Sequence, residues 1–221
     1  MNFKNISLII TCLFVFQQSI AQRNFDEYNK FGISGGYTIT NIDTDDLPLD
    51  SGNGFTFGLE TRGSFRNNFD LIYGVSFFGS NFTIDGYSGL ESSSQVEKIE
   101  FSQQSVQLKF LLSYNIVKHH LSIEFGPAVA IQGKLKPTNN NFEDYFINGY
   151  ATLQAKDLRD VSVFDFRLAG GITAGFEPFR ISVLYLRGIT NSLQKLNNEN
   201  LENRDFSGNS DILAIRGTVY F

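Results

Sequence analysis

Read with a period of two, the chain separates into eight blocks, in each of which the large apolar residues keep largely to one parity, the signature of strands with two unlike faces. In the first block, 30–41, Phe31, Ile33, Tyr37 and Ile39 alternate with Gly32, Ser34, Gly36, Thr38 and Thr40. The second, 54–65, opposes Phe55, Phe57, Leu59 and Phe65 to Thr56, Glu60, Arg62 and Ser64, and the third, 69–80, opposes Phe69, Leu71, Tyr73, Val75 and Phe77 to Asp70, Gly74 and Ser76. Ile72 and Phe78 interrupt that third polar face. The fourth, 102–115, sets Val106, Leu108, Phe110, Leu112 and Tyr114 against Gln107, Lys109 and Ser113. Block five, 120–134, carries Leu121, Ile123, Phe125, Val129 and Ile131 against Ser122, Glu124, Gly126, Ala128, Ala130 and Gln132. Block six, 162–176, carries Phe164, Phe166, Leu168, Ile172 and Phe176 against Asp165, Arg167, Ala169, Gly171 and Thr173. The seventh, 179–190, is the weakest, since Arg187 joins Ile181, Val183, Tyr185 and Ile189 while Leu184 and Leu186 stand opposite. The eighth, 212–221, puts Leu213, Ile215, Val219 and Phe221 against Ala214, Arg216, Thr218 and Tyr220.

The connections alternate strictly between short and long. Short ones fall at Arg66 to Asn68, Asn115 to His119 and Glu177 to Pro178; long ones run from Asn41 to Asn53, Asn81 to Phe101, Leu135 to Val161 and Asn191 to Asp211. Tight turns at one end and long loops at the other are the asymmetry of a transmembrane β-barrel, with short periplasmic turns and extended outer loops. Two turn signals sit within the long loops. Asn148-Gly149 between Ile147 and Tyr150 predicts a hairpin that extends the outer side, with a ten-stranded barrel as the minor alternative, and Asp85-Gly86 predicts a turn just above the third strand. The fourth long loop, with Asn191, Asn197, Asn198, Asn200 and Asn203, reads as polar and mobile.

Which face lies outside follows from the chemistry of the polar parity. That set holds four acids and four bases, Glu60, Asp70, Glu124, Asp165, Arg62, Lys109, Arg167 and Arg216, among many small residues. Balanced charge and small side chains suit the crowded interior of an eight-stranded barrel, whereas the Phe- and Tyr-rich parity suits lipid and its interfacial girdles. A soluble all-β domain would reverse the two faces. In hydrocarbon each unpaired backbone group costs several kcal/mol, so a sheet placed there must close on itself.

Composition agrees: 23 Phe and 20 Gly against only 4 Pro favour closely packed strands. No stretch reaches the length of a helical membrane span. The net charge of −5 argues against a nucleic-acid partner, which wants a basic stripe. Residues 1–21 read as a secretory signal peptide: Lys4, an apolar run from Ile6 to Phe16, then small Ser19 and Ala21 before a cut at Gln22. Residues 22–221 then form the barrel domain. Cys12 lies inside the apolar run and is not placed for lipidation, and the exported part carries no cysteine, so backbone pairing rather than disulfides must hold it.

The stretches SVQLKFLLSYN (Ser105 to Asn115), LSIEFGPAVA (Leu121 to Ala130) with its Gly126-Pro127 step, FDFRLAGGITAGFE (Phe164 to Glu177) and LRGITN (Leu186 to Asn191) resemble strands of the PorT-like outer-membrane barrels of Bacteroidetes. Gln107 and Lys109 stand where that family usually has Glu and Pro, and Leu184-Tyr185 replace a family-like Arg-Tyr pair. The resemblance implies an eight-stranded barrel in the cell outer membrane of a Gram-negative bacterium. One namesake is implicated in type IX secretion, which implies an accessory role in a secretion or gliding machine as an alternative function. Phe221 closing the last strand resembles the terminal signal read by the barrel-assembly machinery.

Candidate chemistry is sparse. His119 and His120 fall in a predicted periplasmic turn, and adjacent residues of an extended chain point opposite ways, which disfavours both a catalytic base pair and a metal site. Asp43, Asp45, Asp46 and Asp50 lack the glycine and distant glutamate of a calcium loop and read as a solvated acidic loop. The interior charges read as braces rather than a conduit. Arg187, on the lipid-facing parity near the outer end, either snorkels or meets a lipopolysaccharide phosphate. No catalytic, cofactor or metal residue is assigned. The expected function is a non-enzymatic barrel engaged in surface binding or envelope integrity through its loops, in contact with outer-membrane lipid and lipopolysaccharide; a small-solute channel or a surface enzyme is less supported.

Overall fold

The computed structural model describes residues 28–89 and 95–221, so the predicted signal segment lies outside the described residues. Eight long strands form the body: β1 (Asn29–Asp43), β2 (Gly52–Arg66), β3 (Phe69–Tyr87), β4 (Glu97–Val117), β5 (Leu121–Gln132), β6 (Phe164–Gly175), β7 (Phe179–Gly188) and β8 (Asn209–Tyr220). Each pairs antiparallel with its neighbour in sequence, and β8 returns to β1 from Gly32↔Tyr220 to Asp43↔Asn209, so the ring is closed. Closure at eight excludes the ten-stranded alternative. Every ring strand is paired on both sides, which satisfies its backbone without water.

The apolar parity points outward, as expected. Phe57 is 57% and Phe125 60% exposed, while Glu60, Arg62, Asp70, Lys109, Glu124, Asp165, Arg167 and Arg216 are all buried inside the ring. Phe31, Phe65, Tyr114, Phe176, Phe179 and Phe221 stand exposed around the short-turn end, an aromatic girdle of the kind that sits at a membrane interface. The turns there are tight, with Asn67 and His119 at φ 51° and 64°.

Two strands run well past the rest. β3 has 19 residues and β4 has 21, against the roughly 9–11 that cross a bilayer. Along both, the apolar parity reverses at one level. Below it, Tyr73, Val75, Phe110, Leu108 and Val106 face out; above it, the inward positions become apolar, with Phe82, Ile84, Ile99 and Phe101 buried. The pleat continues unbroken while the medium outside changes from apolar to aqueous, so the hydrophobic face must change sides. The turn expected at Asp85-Gly86 is absent for the same reason: both residues remain in strand, paired with Lys98 and Glu97, and Gly86 also pairs with Ile147. A Cβ on Gly86 would lie 2.5 Å from Ile99 Cδ1 and 2.8 Å from the Phe146 carbonyl oxygen, so only glycine admits that third strand.

Above the ring the four long connections fold together. Ile42 and Leu47 from the first, Phe82, Ile84, Ile99 and Phe101 from the extended hairpin, Leu135, Ile147, Leu153, Leu158 and Val161 from the third, and Leu193, Leu196 and Phe206 from the fourth form one apolar core. The Asn148-Gly149 turn forms as expected, with Tyr150 N–H donating to the Ile147 carbonyl and Gly149 at φ +92°; its short strand Phe146–Ile147 joins the end of β3. The fourth connection corrects the expectation of a mobile polar loop. It contains the 3-10 helix Gln194–Asn198, and its asparagines satisfy buried backbone: Asn191 Oδ1 accepts from the N–H groups of Leu193 and Gly208, and Asn197 both donates to the Phe206 carbonyl and accepts from its N–H. Polarity there serves the backbone rather than solvent.

Candidate functional site

Two places concentrate side-chain chemistry, the lumen and the folded cap. The lumen is layered. At the short-turn end Arg62, projecting from β2, donates to Asp70 Oδ2 at 3.0 Å, to Ser113 Oγ at 3.1 Å and to Glu124. Tyr28 Oη donates to the other Asp70 oxygen at 2.6 Å. One turn of the ring away, Glu60 accepts from Lys109 and from the Tyr220 hydroxyl, and lies 3.5 Å from Arg216. These groups come from five different strands and from Tyr28 just before β1, so the network ties the ring across its axis. In an interior of low dielectric such pairing is what offsets the cost of burying charge.

A second group lies nearer the cap. Asp165 accepts from Arg167 Nε at 2.7 Å, Gln132 Nε2 at 2.8 Å, Ser210 Oγ at 2.6 Å and Thr190 Oγ1 at 3.0 Å, and Arg167 reaches Gln107 at 3.1 Å. Between the two polar groups is an apolar belt of Ile72, Phe78, Leu111, Ala169, Leu184, Leu186, Ile212 and Ala214. The sequence pattern predicts a lumen of small and ionic residues, interrupted at Ile72, Phe78, Leu184 and Leu186. Those four interruptions of the polar parity belong to this belt. Two voids of about 10 Å³ each, one lined by Phe78, Lys109, Leu184 and Arg216 and the other by Thr40, Gln103, Gln132 and Arg167, each have room for roughly one water.

The other candidates disperse. His119 Nδ1 meets Glu177 at 3.2 Å, whereas His120 Nδ1 meets the Gly175 carbonyl at 2.9 Å, so the two imidazoles brace different neighbours. Glu177 also pairs with Lys30 at 3.0 Å, and that cation holds its carboxyl below the usual range. Of the loop aspartates, Asp43 pairs with Arg187, Asp46 accepts from Ser207 N–H at 2.7 Å, and Asp50 pairs with Lys98 at 2.6 Å. Among the described residues no three His, Cys, Asp or Glu side chains gather as metal ligands. Arg187 is held between Asp43 at 2.9 Å and Asp211, so its charge is already engaged within the protein. Arg180 and Tyr28, unassigned in the sequence reading, both reach the lumen; Arg180 is the first inward position after the tight Glu177-Pro178 turn, which is the signal that marks it.

The cap is tied by surface contacts as well as by its core. Glu202 accepts from the backbone N–H groups of Ala151 and Thr152 and from the Thr152 hydroxyl, which holds its carboxyl below the ordinary value, and Asp160 bridges Lys134 at 3.1 Å and Lys195 at 3.4 Å. Its surface carries a groove of about 450 Å³ between the first and third connections, lined by Asp45, Asp46, Leu47, Pro48, Asn148, Gly149 and Tyr150.

No curated protein matches the chain in sequence. Among solved structures it is similar to the Neisserial surface protein A, with a TM-score of 0.51 and 9% identity over 86% of this chain and 97% of that one. It is also similar to Ail, the attachment invasion locus protein of Yersinia pestis, in complex with the heparin analogue sucrose octasulfate, with a TM-score of 0.47 and 16% identity over 87% of this chain and 99% of that one. A family model described as outer membrane protein beta-barrel domain matches residues 17–194. With the closed ring, the apolar exterior and the aromatic girdle, this match places the protein in the outer membrane, and the chain belongs to the outer membrane protein beta-barrel domain family.

Proposed function

We propose that the protein is a non-enzymatic barrel that holds a folded binding surface beyond the outer membrane, serving surface attachment or envelope integrity. The observation that carries this reading is the shared apolar core of the four outer connections. Loops that only joined strands would gain nothing from burying Phe82, Phe101, Leu158 and Phe206 together, whereas a fixed recognition surface needs such a foundation. The filled lumen adds support, because it leaves the exterior of the cap as the place where a partner can be met. The catalytic candidates add none to an enzymatic alternative, since His119 and His120 sit at the periplasmic end and face different partners.

In this reading residues 1–21 direct export and are removed before Gln22, the barrel-assembly machinery inserts the ring, and the apolar exterior contacts outer-membrane lipid and lipopolysaccharide. The strand resemblances favour PorT-like kinship in Bacteroidetes as the finer family. The test is genetic and biochemical: a deletion strain complemented with the intact gene, or with a form whose third and fourth outer loops are cut to tight turns. Permeability, envelope stress and surface binding restored only by the intact gene support the proposal. Equal restoration by both forms overturns it, as does hydrolysis of added lipid or peptide by the refolded protein. Crosslinked recovery of secretion or gliding components would move the reading to an accessory role in that machine.

A further inference from the structure

Among the described residues, the charges inside the barrel do not all form ion pairs. Of the lumen-facing bases, Arg62 holds Asp70 and Glu124, Lys109 and Arg216 share Glu60, and Arg167 holds Asp165. All four lumen acids are thereby engaged. The base left over among the described residues is Arg180, which is 3% exposed, makes no ion pair with any of them, and leaves Nη1 without a hydrogen-bond acceptor. Arg62 is close enough to repel it, and Asp70, already held by Arg62 and Tyr28, lies near enough to attract it without forming an ion pair with it.

Beside it runs an arc of polar groups in the same condition. Asn115 faces Ser122, Ser122 faces Thr173, and Thr173 faces Ser182 across three successive strand pairs, and Ser182 is the next inward residue after Arg180. The hydroxyls of Ser122, Thr173 and Ser182 and the Asn115 amide oxygen are all buried without a hydrogen-bond partner. Facing residues of an antiparallel pair stand about 4.5–5.5 Å apart, so the hydroxyls form one contiguous donor surface next to a guanidinium with no direct ion-pair partner. Hydroxyls alone can be satisfied by water. A buried cation is a different matter, because its desolvation is large unless a counter-charge is present.

We infer that Arg180, together with the hydroxyls of Ser122, Thr173 and Ser182, forms a binding site for a small monovalent anion of the halide class in the periplasmic end of the lumen. The guanidinium supplies the charge and the three hydroxyls complete the coordination, with Asn115 turning its amide to present Nδ2.

The test is urea unfolding of the refolded protein in detergent micelles, in sodium chloride against sodium gluconate at equal ionic strength so that screening is matched. Chloride should raise the midpoint saturably, as a ligand of the native state does. Bromide should do the same and give an anomalous scattering peak beside Arg180 in crystals grown with it. In Arg180→Met the difference between chloride and gluconate should vanish. Equal wild-type midpoints in the two salts would overturn the proposal in favour of water alone, and so would an undiminished chloride response in Arg180→Met. A response to phosphate without one to chloride or bromide would also overturn it. Should Arg180→Met fail to refold, the wild-type titration and the bromide peak still decide.

Discussion

Arg62 shows what a single residue contributes to this lumen. Its guanidinium satisfies two carboxylates and a hydroxyl, donors arranged in a planar fork that a lysine ammonium lacks. Replacing it leaves Asp70 and Glu124 buried beside each other without their cation. Arg62→Met is therefore expected to lower stability by about 3–5 kcal/mol, with Arg62→Lys recovering only part, measured as the urea midpoint in micelles. Glu202 illustrates the opposite setting, an exposed carboxylate whose acceptors' role is to hold loop backbone. Because its pKa is depressed in the folded protein, its contribution is present above the unfolded value near 4.3 and is lost as pH falls through the folded one. Limited proteolysis of the fourth loop should thus quicken below about pH 4, and Glu202→Gln should show the quickened rate already at pH 7. Identical rates for wild type and Glu202→Gln at neutral pH would remove Glu202 from the list of ties.

At the scale of elements, alternation located all eight ring strands and the side each residue faces, because lipid and lumen impose opposite demands on successive positions. The same rule lost the upper parts of β3 and β4. There the apolar residues change parity, and a reader following one parity stops at Ser80 and starts again at Ser102. The apolar belt inside the lumen was hidden for a related reason: Leu184 and Leu186 weaken the contrast on which the pattern depends. Nothing local in the fourth loop announces that Leu193, Leu196 and Phe206 meet residues more than a hundred positions away, such as Ile42 and Phe82. The resulting core is open to test. Phe101→Ala removes a fully buried ring and should cost the cap about 3–5 kcal/mol. The barrel, held by its own ladder, should keep its heat-modifiable gel migration while the third and fourth loops become protease-sensitive. Loss of heat modifiability in this variant would mean that cap and barrel fold as one unit.

For the whole molecule, the stacking of two polar networks, an apolar belt and a capped top determines what can pass. Voids of about 10 Å³ offer room for single waters only, and wild-type protein in planar bilayers should give conductance equal to that of protein-free membranes. Discrete current steps from the purified barrel would show that these layers part under voltage. Identity of the partner met at the surface was beyond the reach of the sequence, because alternation reports the solvent on either side of a strand and carries no memory of what a loop touches.

The long ribbon of β3 and β4 gives the molecule stature. Some nine residues of each strand rise beyond the level where the apolar face reverses, which at about 3.3 Å per residue lifts the crown by a few tens of ångströms along the ribbon. Gly149, at a crest with nothing within 4 Å of where a side chain would begin, therefore stands clear of the lipid headgroups. A short epitope inserted there should be stained by antibody on unbroken cells, as a flag is seen from outside the wall that carries its mast.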